Sequence, residues 1–208
     1  MNTEPFVINI GRQLGSGGRA IGHLLADYFK IAYYDKEILT IAAKESGLCT
    51  EIFEKSDERK GFFRSVFGSL FPFLGEGEFY NNQISDESLF RIQSEAIRKA
   101  ADDHSCIFIG RCADYILRDN PRCVNIFIAA DMDDRVRRVC DFDNITPKEA
   151  EKKIEAGDKG RADYYNFYSS GTWGAASTYH LCINSSVLGI DETAAYLIEF
   201  IQKKLQLG

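Results

Sequence analysis

The chain has 208 residues, 45% of them hydrophobic and 27% charged, with a net charge of −6 at neutral pH. That length suits one substantial domain with a small insertion, and the acidic balance, without a basic tail or Lys/Arg run, excludes duplex nucleic acid as a partner recognised through bulk charge. The six cysteines are scattered with no C-x-x-C pair, the amino terminus lacks the basic and apolar regions of a secretory signal, and no apolar run approaches the ~18 residues of a membrane span. The expectation is a reduced, cytoplasmic enzyme or binding protein with no membrane partner.

Residues 6–10, FVINI, form a short β-branched run that predicts a buried strand. After a glycine-rich stretch, Ile21, Leu24, Leu25, Tyr28 and Phe29 recur at helical spacing. IAYY at 31–34 reads as a second strand, and Asp35 opens another helix carrying Ile38, Leu39, Ile41 and Ala42. Segment 56–85 is irregular, with six phenylalanines, four glycines and a proline, which suits neither one regular helix nor a solvated linker. It reads as a small inserted subdomain closing an apolar cluster, or as a mobile substrate flap or homodimer contact, since an uncovered apolar patch of this kind marks an interaction site.

Residues 86–102 are helical in pattern and lead into CIFIG at 106–110, a strand ending in glycine. VNIFIAA at 124–130 is the clearest buried strand, and the segment after it begins with acids and fills with arginines, as a helix does. Thr146-Pro147-Lys148-Glu149 is a capping box with proline at the first helical position. LCIN at 181–184 is a last strand, and 191–205 an amphipathic final helix. Five short apolar strands alternating with helices predict an α/β fold, a five-stranded parallel sheet with helices on both faces.

The stretch IGRQLGSGGRAIG at 10–22 joins the first strand to the first helix. At the carboxyl end of a strand, a helix amino terminus offers free N–H groups and a positive dipole end, and glycines at 15, 17 and 18 let the backbone turn its amides toward one point. Alone, the run is equally a structural turn. The usual phosphate loop reads G-x-x-x-x-G-K-[S/T]. Aligned with it, Arg12 stands at the first glycine, Gly17 at the second, Gly18 at the lysine and Arg19 at the Ser/Thr. The lysine charge and the metal-binding hydroxyl are both missing from their usual places. Arg19, first, or Arg12 could reach the phosphates instead, and Ser16 could supply a hydroxyl.

Six segments occur in order: GRQLGSGGRAIG (11–22), YYDKE (33–37), FIGRCADYIL (108–117), NIFIAADMDDRVRR (125–138), GDKGRADYY (157–165) and LCINSSVLGIDET (181–193). Together they make the chain resemble the cytidylate kinase-like family of P-loop nucleoside monophosphate kinases. The resemblance implies a single P-loop NTPase-type three-layer domain over 1–208, with 56–85 as the acceptor-side insertion and about 155–178 as a lid. It also implies Mg²⁺-dependent transfer from ATP to CMP or dCMP. Gly15, Ser16, Gly17, Gly18 and Arg19 would then bind nucleotide phosphate, and Asp35, Arg111 and Asp114 the acceptor. Ser16 and Asp35 would lie near the metal, with Arg19, Arg138 and Arg161 stabilising the transferring charge. Asp35 equally suits a helix N-cap, and Arg111 with Asp114 an ion pair at a helix start. Where cytidylate kinases carry an acid before their GRD, this chain has Ile109. That departure and the missing lysine leave open a P-loop kinase for another small acceptor, or a nucleotide-binding regulator without turnover.

Overall fold

The structure is a computed structural model, and it describes residues 4–35 and 86–207. The chain divides into two compact units, one of Met1–Lys36 with Ala100–Gly208 and one of Glu37–Lys99. The helix expected after Asp35 and the phenylalanine-rich segment 56–85 lie outside the described residues.

In chain order the elements are β1 (Val7–Arg12), α1 (Gly18–Phe29), β2 (Ala32–Tyr34), α2 (Asp86–Asp103), β3 (Cys106–Ile109), α3 (Ala113–Ile116), β4 (Cys123–Ala129), α4 (Met132–Asp143), α5 (Pro147–Tyr168), β5 (Leu181–Asn184) and α6 (Ser185–Leu205). All strand pairs are parallel, in the order β2-β3-β1-β4-β5. β1 is central: Ile10 aligns with Ile109 of β3 and Ile126 of β4. Because parallel strands are buried on both faces, β1, β3 and β4 are near-continuous apolar runs rather than alternating ones.

One face of the sheet presents Ile8, Ile10, Ile107, Ile109, Val124, Ile126 and Ile128 to Ile21 and Leu25 of α1 and to Ala194, Leu197, Ile201 and Leu205 of α6. The expected α1 stripe is split by the turn of the helix: Ile21 and Leu25 are buried, whereas Leu24 and Tyr28 are exposed. On the opposite face, Phe127 is covered by Trp173, Tyr179 and the edge of Gly174. A second small cluster joins α4 to α5 through Val139, Ala150 and Ile154, with Leu14 packed against it.

The capping box forms as the sequence predicts, with the Thr146 side chain accepting from the Glu149 amide and the Glu149 carboxylate from the Thr146 amide. From that start α5 runs unbroken for 22 residues, so the first half of the segment 155–178 is helix. The last helix begins earlier than its amphipathic pattern suggests. Asn184 caps it through the Ser186 amide, and a single break at Gly189 (φ 80°) separates the first turn from the amphipathic stretch.

Candidate functional site

β1 ends at Arg12, and the chain turns through Gln13–Gly17 into α1 at the carboxyl end of the sheet. Gly15 and Gly17 both have φ 78°, a conformation open to glycine and costly for other residues. The loop's carbonyls are held from outside. Ser16 donates its hydroxyl to the Gln13 carbonyl at 2.9 Å, and Ser185 Oγ donates to the Ser16 carbonyl at 2.7 Å. Arg135 Nε donates to the Leu14 carbonyl at 2.8 Å, and Arg138 donates to the Gly15 carbonyl at 3.2 Å. Arg161, on α5, donates to the Arg12 carbonyl at 3.2 Å. Asp158 completes the brace: one oxygen accepts from the Leu14 amide at 2.7 Å and the other pairs with Arg135. With the carbonyls tied back, the Gly17 and Gly18 amides at the start of α1 take no hydrogen bond among the described residues. This is the arrangement by which a loop and helix start present N–H groups to an anion.

Four guanidinium groups gather near this loop. Arg12 is pushed down to about 9, first by burial and then by Arg161, Arg111 and Arg19. Arg161 is also pushed down, chiefly by burial and against the pull of Asp158. An arginine this far below its ordinary value is one whose charge is poorly compensated by the protein. Arg12 makes no side-chain ion pair among the described residues.

The Arg12 stem runs across the start of α1. A Cβ added at Gly18 would lie 2.7 Å from Arg12 Cβ, and one added at Gly110 would lie 2.1 Å from an Arg12 guanidinium nitrogen. Arg12 therefore bridges from the glycine loop to the turn after β3.

That turn carries the other expected residues. Gly110, Arg111 and Cys112 are three consecutive residues with positive φ (75°, 62° and 55°). The two non-glycine ones are held there at a cost of order 1–3 kcal/mol each. The Arg111 guanidinium lies 5.2 Å from the centre of the Tyr164 ring. Asp114 accepts a hydrogen bond from Tyr165, and burial pushes its carboxyl up despite that bond. Both tyrosines belong to α5, so the aromatic run after Arg161 orders the turn as well as packing on the sheet.

The remaining expected residues are placed as follows. Arg19 is half exposed and pairs with Asp35 at 3.2 Å, at the end of β2. Ser16 is buried, its hydroxyl turned into the loop. Arg138 meets the Gly15 carbonyl and Ser185 Oγ. Arg137 of the same helix, not among the expected site residues, is exposed and pairs with Asp134. Sequence reasoning passed over Arg135, Asp158 and Ser185. Arg135 stands four residues before the buried Val139, so the helical period itself sets it on the buried face of α4.

Among the described residues no group of three or more His, Cys, Asp or Glu side chains could hold a metal, and no helix is long and apolar enough to cross a membrane. Of the two residues expected near a metal, Ser16 spends its hydroxyl on the Gln13 carbonyl and Asp35 pairs with Arg19, so a magnesium ion here would be held chiefly by nucleotide phosphates and water.

No curated protein matches the chain. Among solved structures, an uncharacterized protein from Eubacterium ventriosum is 29% identical with a TM-score of 0.73, covering 95% of this chain and 98% of that one. Shikimate kinase from Bacteroides thetaiotaomicron is 14% identical with a TM-score of 0.53, covering 97% and 99%. Shikimate kinase from Acinetobacter baumannii in complex with shikimate is 12% identical with a TM-score of 0.50, covering 97% and 94%. The two kinases are similar at the level of fold, which is that of the P-loop kinases. The model of the cytidylate kinase-like family matches residues 7–187, and with a glycine loop braced at the carboxyl end of a five-stranded parallel sheet, the chain belongs to that family.

Proposed function

We propose that this protein transfers the γ-phosphoryl group of ATP to a nucleoside monophosphate, CMP or dCMP. The observation that carries the reading is the convergence of Arg12, Arg19, Arg111 and Arg161, with Arg12 left without an anionic partner among the described residues, beside the unpaired amides that open α1. A polyphosphate supplies the negative charge that this cluster lacks.

In the reaction a phosphate oxygen of the acceptor forms a bond to the γ-phosphorus. The bond from that phosphorus to the β,γ-bridging oxygen breaks, and ADP leaves with the electron pair. A phosphate acceptor is already anionic at neutral pH, so the step needs positioning and charge stabilisation rather than a strong base. The Gly17 and Gly18 amides hold donor phosphates, and Arg12 and Arg161 carry charge between the loop and the turn after β3. Arg111, stacked on Tyr164, clamps the acceptor phosphate, and Asp114, held by Tyr165, accepts from an acceptor amine or hydroxyl. Mg²⁺ bound with the nucleotide would neutralise further charge on the transferring group.

The test is ADP formation from Mg-ATP over a panel of acceptors. Turnover that depends on CMP or dCMP supports the reading. Turnover with another acceptor keeps the phosphotransferase and replaces its substrate. Tight ATP binding without turnover on any acceptor replaces it with a nucleotide-binding regulator.

A further inference from the structure

The geometry points to an exchange of positions inside the phosphate loop: Arg12, from the place of the first glycine, supplies the cation that a lysine at position 18 ordinarily supplies. This rests on the phosphate-loop reading of the site and concerns which residue meets the phosphate.

Three observations carry it. The first is that Gly18 starts an ordinary helix and has no left-handed φ to explain its glycine. What excludes a side chain there is Arg12, whose Cβ and Cγ would lie 2.7 and 3.0 Å from a Cβ at position 18. The side-chain directions of residues 12 and 18 thus converge on one space, which holds one stem. A chain with glycine at 12 and lysine at 18 fills it from the helix; this chain fills it from the strand.

The second observation is the far end of Arg12. Its guanidinium lies against Gly110, where a Cβ would sit 2.1 Å from a guanidinium nitrogen. The group is therefore aimed from the loop toward the β3–α3 turn that carries Arg111 and Asp114. That line runs between the proposed donor and acceptor phosphates, where the transferring charge develops.

The third is charge. Arg19, the other candidate, is half exposed and already paired with Asp35 at 3.2 Å. Arg138 and Arg161 spend donors on the Gly15 and Arg12 carbonyls. Arg12 has a bracing contact on its backbone carbonyl while its guanidinium makes no ion pair among the described residues.

The experiment measures the rise in melting temperature produced by pyrophosphate and by Mg-ATP, together with the Mg-ATP dissociation constant. The proteins are wild type, Arg12→Met, Arg12→Lys, Arg19→Met, Arg12→Gly and the double variant Arg12→Gly/Gly18→Lys. Arg12→Met keeps an unbranched stem over Gly18, so it tests charge rather than packing. It should abolish the pyrophosphate shift and weaken Mg-ATP about 10–100-fold. Arg12→Lys should keep part of the shift. Arg19→Met, whose guanidinium is half exposed and shared with Asp35 in wild type, should keep the pyrophosphate shift and weaken Mg-ATP less than Arg12→Met does. The double variant should regain affinity to within about tenfold of wild type while Arg12→Gly alone does not. The inference is overturned if wild type shows no pyrophosphate shift, if Arg12→Met keeps it, if Arg19→Met loses it instead, or if the double variant binds no better than Arg12→Gly. An Arg12-dependent pyrophosphate shift in a protein that phosphorylates no acceptor sinks the phosphotransferase reading and leaves this one standing.

Discussion

Replacing Asp158 by alanine is the most informative single disruption of the loop. Its carboxylate is mostly buried, at 16% side-chain exposure, and its Arg135 partner is at 5%. It joins three things: the Leu14 amide at 2.7 Å, the Arg135 guanidinium, and Arg161 at 3.6 Å. Removing one partner of a buried pair leaves the other charge uncompensated, which costs about 3–5 kcal/mol. For a domain of this size each kcal/mol moves the melting temperature by about 2–4 °C. Asp158→Ala should therefore melt at least about 6 °C below wild type, and Mg-ATP affinity should fall with it because the Leu14 turn loses its anchor. The double variant Arg135→Met/Asp158→Ala removes both charges of the pair and, set against Asp158→Ala and Arg135→Met singly, should recover more than half of the lost stability. Thermal unfolding of the two singles and the double gives the coupling directly. Melting within 2 °C or so of wild type for Asp158→Ala, or a double variant as unstable as the worse single, would refute the brace.

Other substitutions separate the loop's requirements. Arg12→Met, without ligand, should melt no lower than wild type at pH 7, and about 2–4 °C higher for each kcal/mol of repulsion it relieves. Arg12 is pushed down to about 9, so the fold opposes its charge while it is protonated; the advantage of the variant should shrink as pH rises past about 9, in melts across pH 7–10. Gly15→Ala combines a positive φ with a Cβ 2.7 Å from the Arg135 carbonyl oxygen, and should cost about 2–4 kcal/mol in denaturant unfolding and weaken ATP binding. Thr146→Ala, far from the site, should cost only about 1 kcal/mol and leave ATP affinity unchanged. Tyr165→Phe takes from the buried Asp114 carboxyl its side-chain donor and should raise the acceptor KM more than that for ATP in steady-state assays.

What the sequence discloses about this molecule is what neighbouring residues decide. Strands β1, β3, β4 and β5 are short apolar runs bounded by glycine or polar residues, and the capping box at Thr146 is a four-residue signal, so all were readable. The amphipathic pattern places the start of α6 at 191, six residues late, because the Asn184 cap opens a first turn ahead of the break at Gly189. In the site, the glycines at 15 and 17 announce the loop because their backbone conformation is local. The Arg135–Asp158 pair joins α4 to α5 across 23 residues, and no spacing rule connects them. The relation of Arg12 to Gly18 is hidden for the same reason. It depends on a strand, a loop and a helix returning one side chain over another, and read in line it shows only an absent lysine.

Helix α5 also gains a role that its sequence does not suggest. Its buried face does little for the sheet compared with α1 and α6, yet it touches both halves of the proposed site. Asp158 and Arg161 hold the loop through the Leu14 amide and the Arg12 carbonyl. One turn later, Tyr164 and Tyr165 meet Arg111 and Asp114 at the turn after β3. An eight-residue stretch of one helix, 158–165, therefore fixes the glycine loop and the turn after β3 relative to each other, with Arg12 spanning the gap between them. A rigid helix is well suited to this, because in-line transfer tolerates little error in the separation of two phosphates. It also explains why Arg135, Arg138 and Arg161 point at carbonyls rather than at solvent: they hold the loop open, so that the amides and Arg12 face the proposed phosphate site.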